Sequence, residues 1–463
     1  MVEILENKAM GVQTFQSTDG VSDNVPVEEM DDEAFYNIHA PSKKRLLVFI
    51  VSTSCLMSPM SSLALLPATV EIASDFHSTG TIINISNALY CIVMAISPCL
   101  LGPVGDLYGK RIAFIVCLLM YTVSTILVAV SQNLAMFFVF RMSTALFGTA
   151  FFSTGASIIG DIYRPTERGT AMGWVLSGTQ IGPALGPLIG GVIVTYTSWR
   201  VIFWTLAGLG AFDFLLAFTI LPETSKHLAY RSLRRETGKK LIWIPFNPFR
   251  VILAMRHKEL ILAGIMSSSI HYNMYILLTP IRYVINPRFN LEKPIYAGLF
   301  YLPTGVGYLI GSFFGGRWAD HIVKKYIKKR GKRVAEDRLR SLILAYGLGL
   351  PGSILVYGWS IDSKKGGMTL PIIVMLFCGI SQTICFPSLN AYCIDCLPHL
   401  KGDAIASNYM IRFVAAAVAS ATVLTQIDNV GIGWTCTISS VILWIGFACA
   451  LILIYGGFRI YHI

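Results

Sequence analysis

Twelve long apolar stretches run along the chain, at roughly 46–70, 81–104, 111–131, 134–160, 168–194 and 199–221, then 259–285, 294–318, 341–360, 369–395, 402–427 and 433–458. A helix needs about 20 apolar residues to cross a bilayer. Inside the bilayer every backbone N–H and C=O must bond within the protein, which leaves helices and closed barrels as the spanning forms. The runs are long and continuous rather than short and alternating, so a barrel is excluded and an all-α membrane protein of twelve transmembrane helices is predicted. Composition agrees: 54% of the chain is hydrophobic and 14% charged, against about a quarter charged in soluble domains.

The second constraint is a repeat. After the second stretch the chain reads Gly102-Pro103-Val104-Gly105-Asp106-Leu107-Tyr108-Gly109-Lys110-Arg111, and after the eighth it reads Gly316-Arg317-Trp318-Ala319-Asp320. A glycine with an aspartate four residues on, at equivalent ends of stretches six apart, marks a duplicated six-helix unit. Two pseudo-symmetric six-helix bundles are therefore expected, over residues 46–222 and 259–463, joined by a basic loop at 223–258. Residues 1–45 are a different material, with nine acids, a single lysine (Lys8) before Lys43 and no apolar periodicity. They read as a disordered tail. No short apolar core with a cleavage site precedes the first stretch, so that stretch is expected to direct insertion itself.

The formal net charge of +11 invites a nucleic-acid reading, but its placement refuses it. Lys43, Lys44 and Arg45 precede the first stretch, Arg231, Arg234, Arg235, Lys239 and Lys240 lie in the central loop, and Lys324, Lys325, Lys328, Lys329, Arg330, Lys332 and Arg333 follow the eighth. All sit on one side, the positive-inside pattern, which predicts cytoplasmic termini and central loop against anionic lipid head groups. The plasma membrane is the expected location, a vacuolar or other internal membrane the alternative. Eight of the ten cysteines fall inside spans, and Cys393 and Cys396 form a CxxC at the end of the tenth. They read as small apolar filler in a reducing setting, with too few neighbouring ligands for zinc. Asn84-Ile85-Ser86 matches a glycosylation pattern at the start of a span, where modification is not expected.

The cassette Gly102–Arg111 resembles the loop 2–3 signature of the major facilitator superfamily. Gly178-Thr179-Gln180-Ile181-Gly182-Pro183-Ala184-Leu185-Gly186-Pro187-Leu188-Ile189-Gly190-Gly191 in the fifth span is similar to the antiporter signature of its twelve-span drug:proton antiporters. Asp161, Glu167-Arg168-Gly169, Trp199-Arg200-Val201-Ile202-Phe203-Trp204 and Leu221-Pro222-Glu223-Thr224 resemble the fungal branch, especially quinidine-resistance and related multidrug transporters, with citrate exporters as near relatives. The resemblance covers roughly residues 45–460. It implies that Gly102, Asp106, Gly109, Lys110 and Arg111 form a latch on the cytoplasmic side, joined by Asp161, Glu167 and Arg168. It further implies that Asp106 meets the positive end of the eleventh helix near Gly402-Asp403. Asp320 marks the second copy, which lacks a Gly-Lys-Arg close behind it, so that half is expected to latch weakly.

Gly178, Gly182, Gly186 and Gly190 recur every fourth residue and share one helical stripe, and Gly307, Gly311 and Gly315 do the same in the eighth span. Small residues let membrane helices approach closely. The two stripes are expected to face each other across the interface between the halves, with Pro183 and Pro187 bending the fifth helix.

Ionisable residues inside a membrane are costly, so each is a site candidate. Arg141 lies in the fourth span, where the resemblance implies a cavity-lining arginine; the glutamine usual three residues later is Thr144 here. In the seventh span His271, Tyr275, Leu278 and Arg282 share a face, with Asn273 nearby. An imidazole with an ordinary pKa of about 6.5 suits proton exchange, and equally suits a buried hydrogen bond. Arg412, Gln382, Asn390, Tyr90 and Asn87 complete the candidate cavity wall, with Arg412 and Gln382 expected opposite Arg141 and His271. Asp213 in the sixth span is either a proton carrier or locally paired. The proton-coupling candidates are thus His271, Asp213 and Arg141. No phosphate-cradling loop, metal ligand set or nucleophile elbow is found, so neither an enzyme nor a cofactor is expected. The predicted function is export of small organic molecules (drugs, organic cations or weak acids) by proton antiport with alternating access, in a monomer whose partners are substrate, protons and lipid. Citrate-like anions, polyamines, uncoupled facilitation and a non-transporting sensor are the alternatives.

Overall fold

The structure, a computed structural model, describes residues 40–163, 168–224, 249–291, 293–331, 334–397 and 401–456. The acidic tail up to residue 39 and the central loop at 225–248 lie outside the described residues, as does Glu167.

Local chemistry sets the helix ends. Helix α1 starts on a proline, Pro41–Leu63, and is continued by a tight turn and the helix Thr69–Asp75. α2, Gly80–Tyr108, is capped by the Thr79 hydroxyl, which accepts the Ile82 N–H. It ends at Gly109, whose φ of 114° suits glycine, and α3, Lys110–Ala129, begins at the next residue. α4, Leu134–Ile162, is capped by Asn133, whose side-chain oxygen accepts the Met136 N–H at 2.9 Å. α5, Arg168–Tyr196, and α6, Arg200–Ile220, complete the first half.

In the second half α7 runs Lys258–Leu278 and loosens into a π-turn at Ile281–Ile285. α8 runs Pro294–Arg330, three turns beyond the expected end at 318. Its last turns hold the strong helix formers Lys324, Lys325, Lys328 and Lys329, with no breaker before Gly331 at φ 78°. α9 spans Ala335–Asp362, beginning in a 3-10 turn, and α10 is Thr369–Cys396. The last helical stretch, Lys401–Tyr455, breaks at Gly431 (φ 82°, ψ 165°) into α11, 401–430, and α12, 432–455. Among the described residues, ten helical segments are long and apolar enough to cross a membrane. Adding α5 and dividing the last at Gly431 gives twelve. α3 turns Ile112, Val116 and Leu119 outward, α6 Phe212, Leu215 and Phe218, and α12 Trp444 and Ile445. Such continuous apolar surface suits lipid. The chain is an integral membrane protein.

The glycine stripes are used differently from expectation. A Cβ added to Gly178, Gly182, Gly186 or Gly190 would come within 3 Å of the carbonyl oxygens of Ser52, Leu56, Met60 and Ala64. These are also spaced by four, so the α5 stripe lies along α1 inside its own half. The stripe Gly307, Gly311 and Gly315 rests on Leu376, Ile380 and Ile384 of α10. The reason is geometric: each half is itself a bundle that needs close internal contacts, and a helix has a second face. The seam between halves uses that other face, where a Cβ on Gly191 would lie 2.9 Å from Cα of Gly298 and one on Gly298 would lie 3.1 Å from the Pro187 carbonyl. Gly305 meets Ala184 further along.

Candidate functional site

Between the halves lies a small chamber of about 30 Å³, room for roughly one or two waters. The first half contributes Pro59, Ser62 and Leu63 from α1, Met94 from α2, Phe152 from α4, and Thr179, Gln180 and Pro183 from α5. The second half contributes His271, Met274 and Tyr275 from α7, and Arg412 and Phe413 from α11.

One hydrogen-bonded chain ties this chamber to both halves. The Cys91 thiol donates to the Tyr275 hydroxyl at 3.3 Å. Tyr275 and the Ser62 hydroxyl are 3.2 Å apart, and Ser62 donates to the Asn87 side-chain oxygen at 3.3 Å. Arg141 Nη2 donates to the same oxygen at 3.1 Å, while Asn87 Nδ2 donates to Ser420 of α11 at 3.3 Å. The chain crosses the seam three times, at Cys91–Tyr275, Ser62–Tyr275 and Asn87–Ser420. The Arg141 guanidinium stacks over the Tyr90 ring at 4.8 Å from its centroid, and Tyr90 donates to the Ser58 carbonyl. Burial of a guanidinium requires such partners. Arg141 is only 1% exposed and its Nε and Nη1 have none.

The expected wall forms in part. Tyr275 and His271 face the chamber, and Arg141, Asn87 and Tyr90 sit directly behind it. Arg412 shares the wall with His271 rather than opposing it, because α7 and α11 belong to the same half. Asn273 points away: it accepts from Ser439 at 3.0 Å and donates to Cys378 at 3.6 Å. Gln382 accepts from Tyr308 and Asn390 accepts from Asn408, both within the second half. Arg282, on the same face of α7, continues past the chamber and pairs with Glu71 at 2.9 Å. That ion pair and the Gly191–Gly298 contact close the end remote from the basic cassette. At the basic end Phe152 meets Tyr409 at 5.8 Å between ring centroids, and Cys99 meets Met410. Contacts between the halves thus lie at both ends of the chamber.

Asp213 is tucked between α6 and α1 and is 2% exposed. Its two oxygens accept from Thr53 and Ser54, each at 3.0 Å. Each hydroxyl also reaches a carbonyl of its own helix, Thr53 to Ile50 at 3.0 Å and Ser54 to Ile50 at 2.9 Å. A hydroxyl has one proton to give, so the pair can turn toward a carboxylate or, if the acid itself donates, toward the helix. Among the described residues no basic group pairs with Asp213.

At the basic end the cassette binds the first half together. Lys110 Nζ pairs with Asp161 at 2.6 Å, the Lys110 N–H donates to Glu223 at 3.1 Å, and Arg111 donates to the Phe218 carbonyl at the end of α6 at 3.1 Å. The side chains of Asp106 and Arg168 lie outside the described residues. Gly102 and Gly105 of α2 face Ser153 and Thr154 of α4. Asp403, at the start of α11, pairs with Arg250 at 2.8 Å. The second half has a comparable internal pair. Arg338 at the start of α9 pairs with Asp395 at the end of α10 at 2.9 Å, as Lys110 of α3 pairs with Asp161 of α4. The basic residue is displaced by the extended α8, not lost. Asp320, 67% exposed, is 3.9 Å from the same Arg338.

Sequence reasoning missed Ser62, Cys91 and Ser420, which carry the chain across the seam, and Thr179 and Gln180 in the chamber. Single hydroxyls and thiols on apolar helices look like filler; only Thr179 and Gln180, inside the antiporter-like run, carried a local signal.

A family model described as Major Facilitator Superfamily matches residues 50–420. The chain belongs to the major facilitator superfamily. Similar curated proteins include the MFS-type transporter hepF of Aspergillus oryzae, 27% identical over 89% of this chain and 89% of that protein. The efflux pump radE of Floropilus chiversii is 26% identical over 93% and 83%. The MFS antiporter QDR3 of Candida albicans is 22% identical over 93% and 79%. The crystal structure of the human organic anion transporter MFSD10 (TETRAN) matches with a TM-score of 0.64 at 17% identity, over 89% of this chain and all of that one, which shows the shared fold. This superfamily member is a membrane transporter.

Proposed function

We propose that the protein is a secondary active exporter of small organic molecules, working by alternating access and driven by proton antiport. The observation that carries this reading is the hydrogen-bonded chain from Arg141 and Asn87 to Tyr275 and Ser420. It links the two halves at a sealed chamber and must break and reform if they rock. The antiporter-like run in α5 and the printed roles of radE and QDR3 support export and antiport. The positive-inside pattern supports a cytoplasmic side for both termini and the basic loops. Three groups are put forward for proton coupling: His271 in the chamber wall, Asp213 with its two switching hydroxyls, and Arg141 as a fixed charge behind the chamber. The basic-end pairs around Lys110 and Arg338 are proposed to stiffen each half so that it moves as one body.

The test is uphill efflux from cells lacking their own exporters, over a substrate panel. An uncoupler should abolish net uphill efflux while ATP depletion at constant gradient should not. Uphill efflux that survives the uncoupler would contradict proton drive.

A further inference from the structure

We propose that the chamber selects aromatic organic anions, with Arg412 as the group that binds the acid. This rests on the export reading and names the substrate class of the same site.

The charge around the chamber has one sign. Arg412 lines it, Arg141 stands one hydrogen bond behind Ser62 and Asn87, and among the described lining residues there is no Asp or Glu. The buried acid Asp213 is held on the other face of α1 by Thr53 and Ser54. Arg412 is 96% buried, from an exposure of 4%, and its Nε has no hydrogen-bond partner. Its guanidinium is clamped by aromatic faces: Tyr409 at 4.0 Å, Phe413 at 5.2 Å and Phe386 at 5.3 Å from the ring centroids. Rings hold a guanidinium in place without neutralising it, since they contribute a quadrupole and no net charge. The result is a fixed, oriented cation in a site with little water. A carboxylate or phenolate would meet there the planar fork that matches it, whereas an organic ammonium would meet two like charges.

The chamber of about 30 Å³ must widen to take an organic acid, and the chemistry of the rest of its wall then suits an unsaturated body. Phe152 and Phe413 present ring surface, Met94 and Met274 supply adaptable thioether contacts, and Thr179 and Gln180 offer polar anchors on the first half. An acid bound to Arg412 from the second half and touching α5 of the first half would bridge the seam, which is how a substrate favours the closed form.

The test uses the full-length protein, purified and reconstituted, with three ligands built on one ring system: 1-naphthoate, neutral 1-naphthol and 1-naphthylmethylamine. Binding is read by fluorescence and transport by flux. The naphthoate should bind and move in preference to the amine. Arg412→Gln should weaken naphthoate binding at least about tenfold and abolish the preference for acid over amine. Arg412→Lys should keep the preference at reduced affinity, a rescue that a purely structural arginine would not give. Preference for the amine, failure to bind the naphthoate, or naphthoate binding unchanged in a well-folded Arg412→Gln protein would overturn the inference. If neutral drugs from the efflux panel still move in that case, only the anion assignment falls; if nothing moves, the export reading falls with it.

Discussion

At the scale of single residues, the polar atoms that matter are few and each has a specific neighbour. Asp213 is the sharpest example, a buried carboxylate served by two hydroxyls that each have a second acceptor. Asp213→Asn keeps the shape and can still bond Thr53 and Ser54, but cannot take up or release a proton. Uphill efflux in this variant should fall to the passive leak, while substrate exchange without a gradient continues at close to the normal rate. Flux in proteoliposomes with and without an imposed pH difference checks this, and full uphill efflux would remove Asp213 from the coupling mechanism. Candidate residues were legible in the sequence where charge is rare in a membrane: Arg141, Asp213, His271 and Arg412 stand out because a charge there demands a reason. Their partners were not legible. Asn273 and Tyr275 sit two positions apart on one helix, yet one faces α10 and α12 and the other the chamber. That difference of roughly 200° of helical turn is decided by how α7 is rotated against its neighbours.

At the scale of helices, spacing set the packing and topology set the partner. Twelve spans could be read from hydropathy, but not all their ends: α8 continues to Arg330, beyond the apolar run. The four-residue glycine repeat in α5 was legible as a close-contact stripe, but a repeat does not say which helix it serves. It serves α1, while Gly191 and Gly298 serve the seam. Gly182→Ala places a methyl within 3 Å of the Leu56 carbonyl. That overpacking should cost about 1–3 kcal/mol and appear as a lower unfolding temperature. Gly298→Ala, at 3.1 Å from the Pro187 carbonyl, should leave the halves intact and change the transport rate more than the stability. Thermal unfolding and flux on the same preparations separate the two effects. Equal, unperturbed stability in Gly182→Ala would contradict the α1–α5 contact. The displaced cassette in the second half teaches the same lesson. Asp320 alone leads to the expectation of a weak latch, while the basic residue that pairs within this half, Arg338, lies across the continued α8.

At the scale of the whole molecule, two bundles meet along a seam with contacts at both ends. Glu71 and Arg282 hold one end and the Phe152–Tyr409 contact the other, with the polar chain from Arg141 to Tyr275 between them. A molecule built to transport must open these ends in turn, because opening both would leave a pore and opening neither would trap the substrate. Spin-label distances read this directly. With the ten buried native cysteines replaced, one pair of labels goes on the exposed Thr219 and Lys325 at the basic end, and another on the exposed Ser74 and Lys293 at the other end. Changing pH and adding substrate should lengthen one distance as the other shortens, with both populations present in each condition. Distances that stay fixed in every condition, or that lengthen together, would contradict alternating access by this chain.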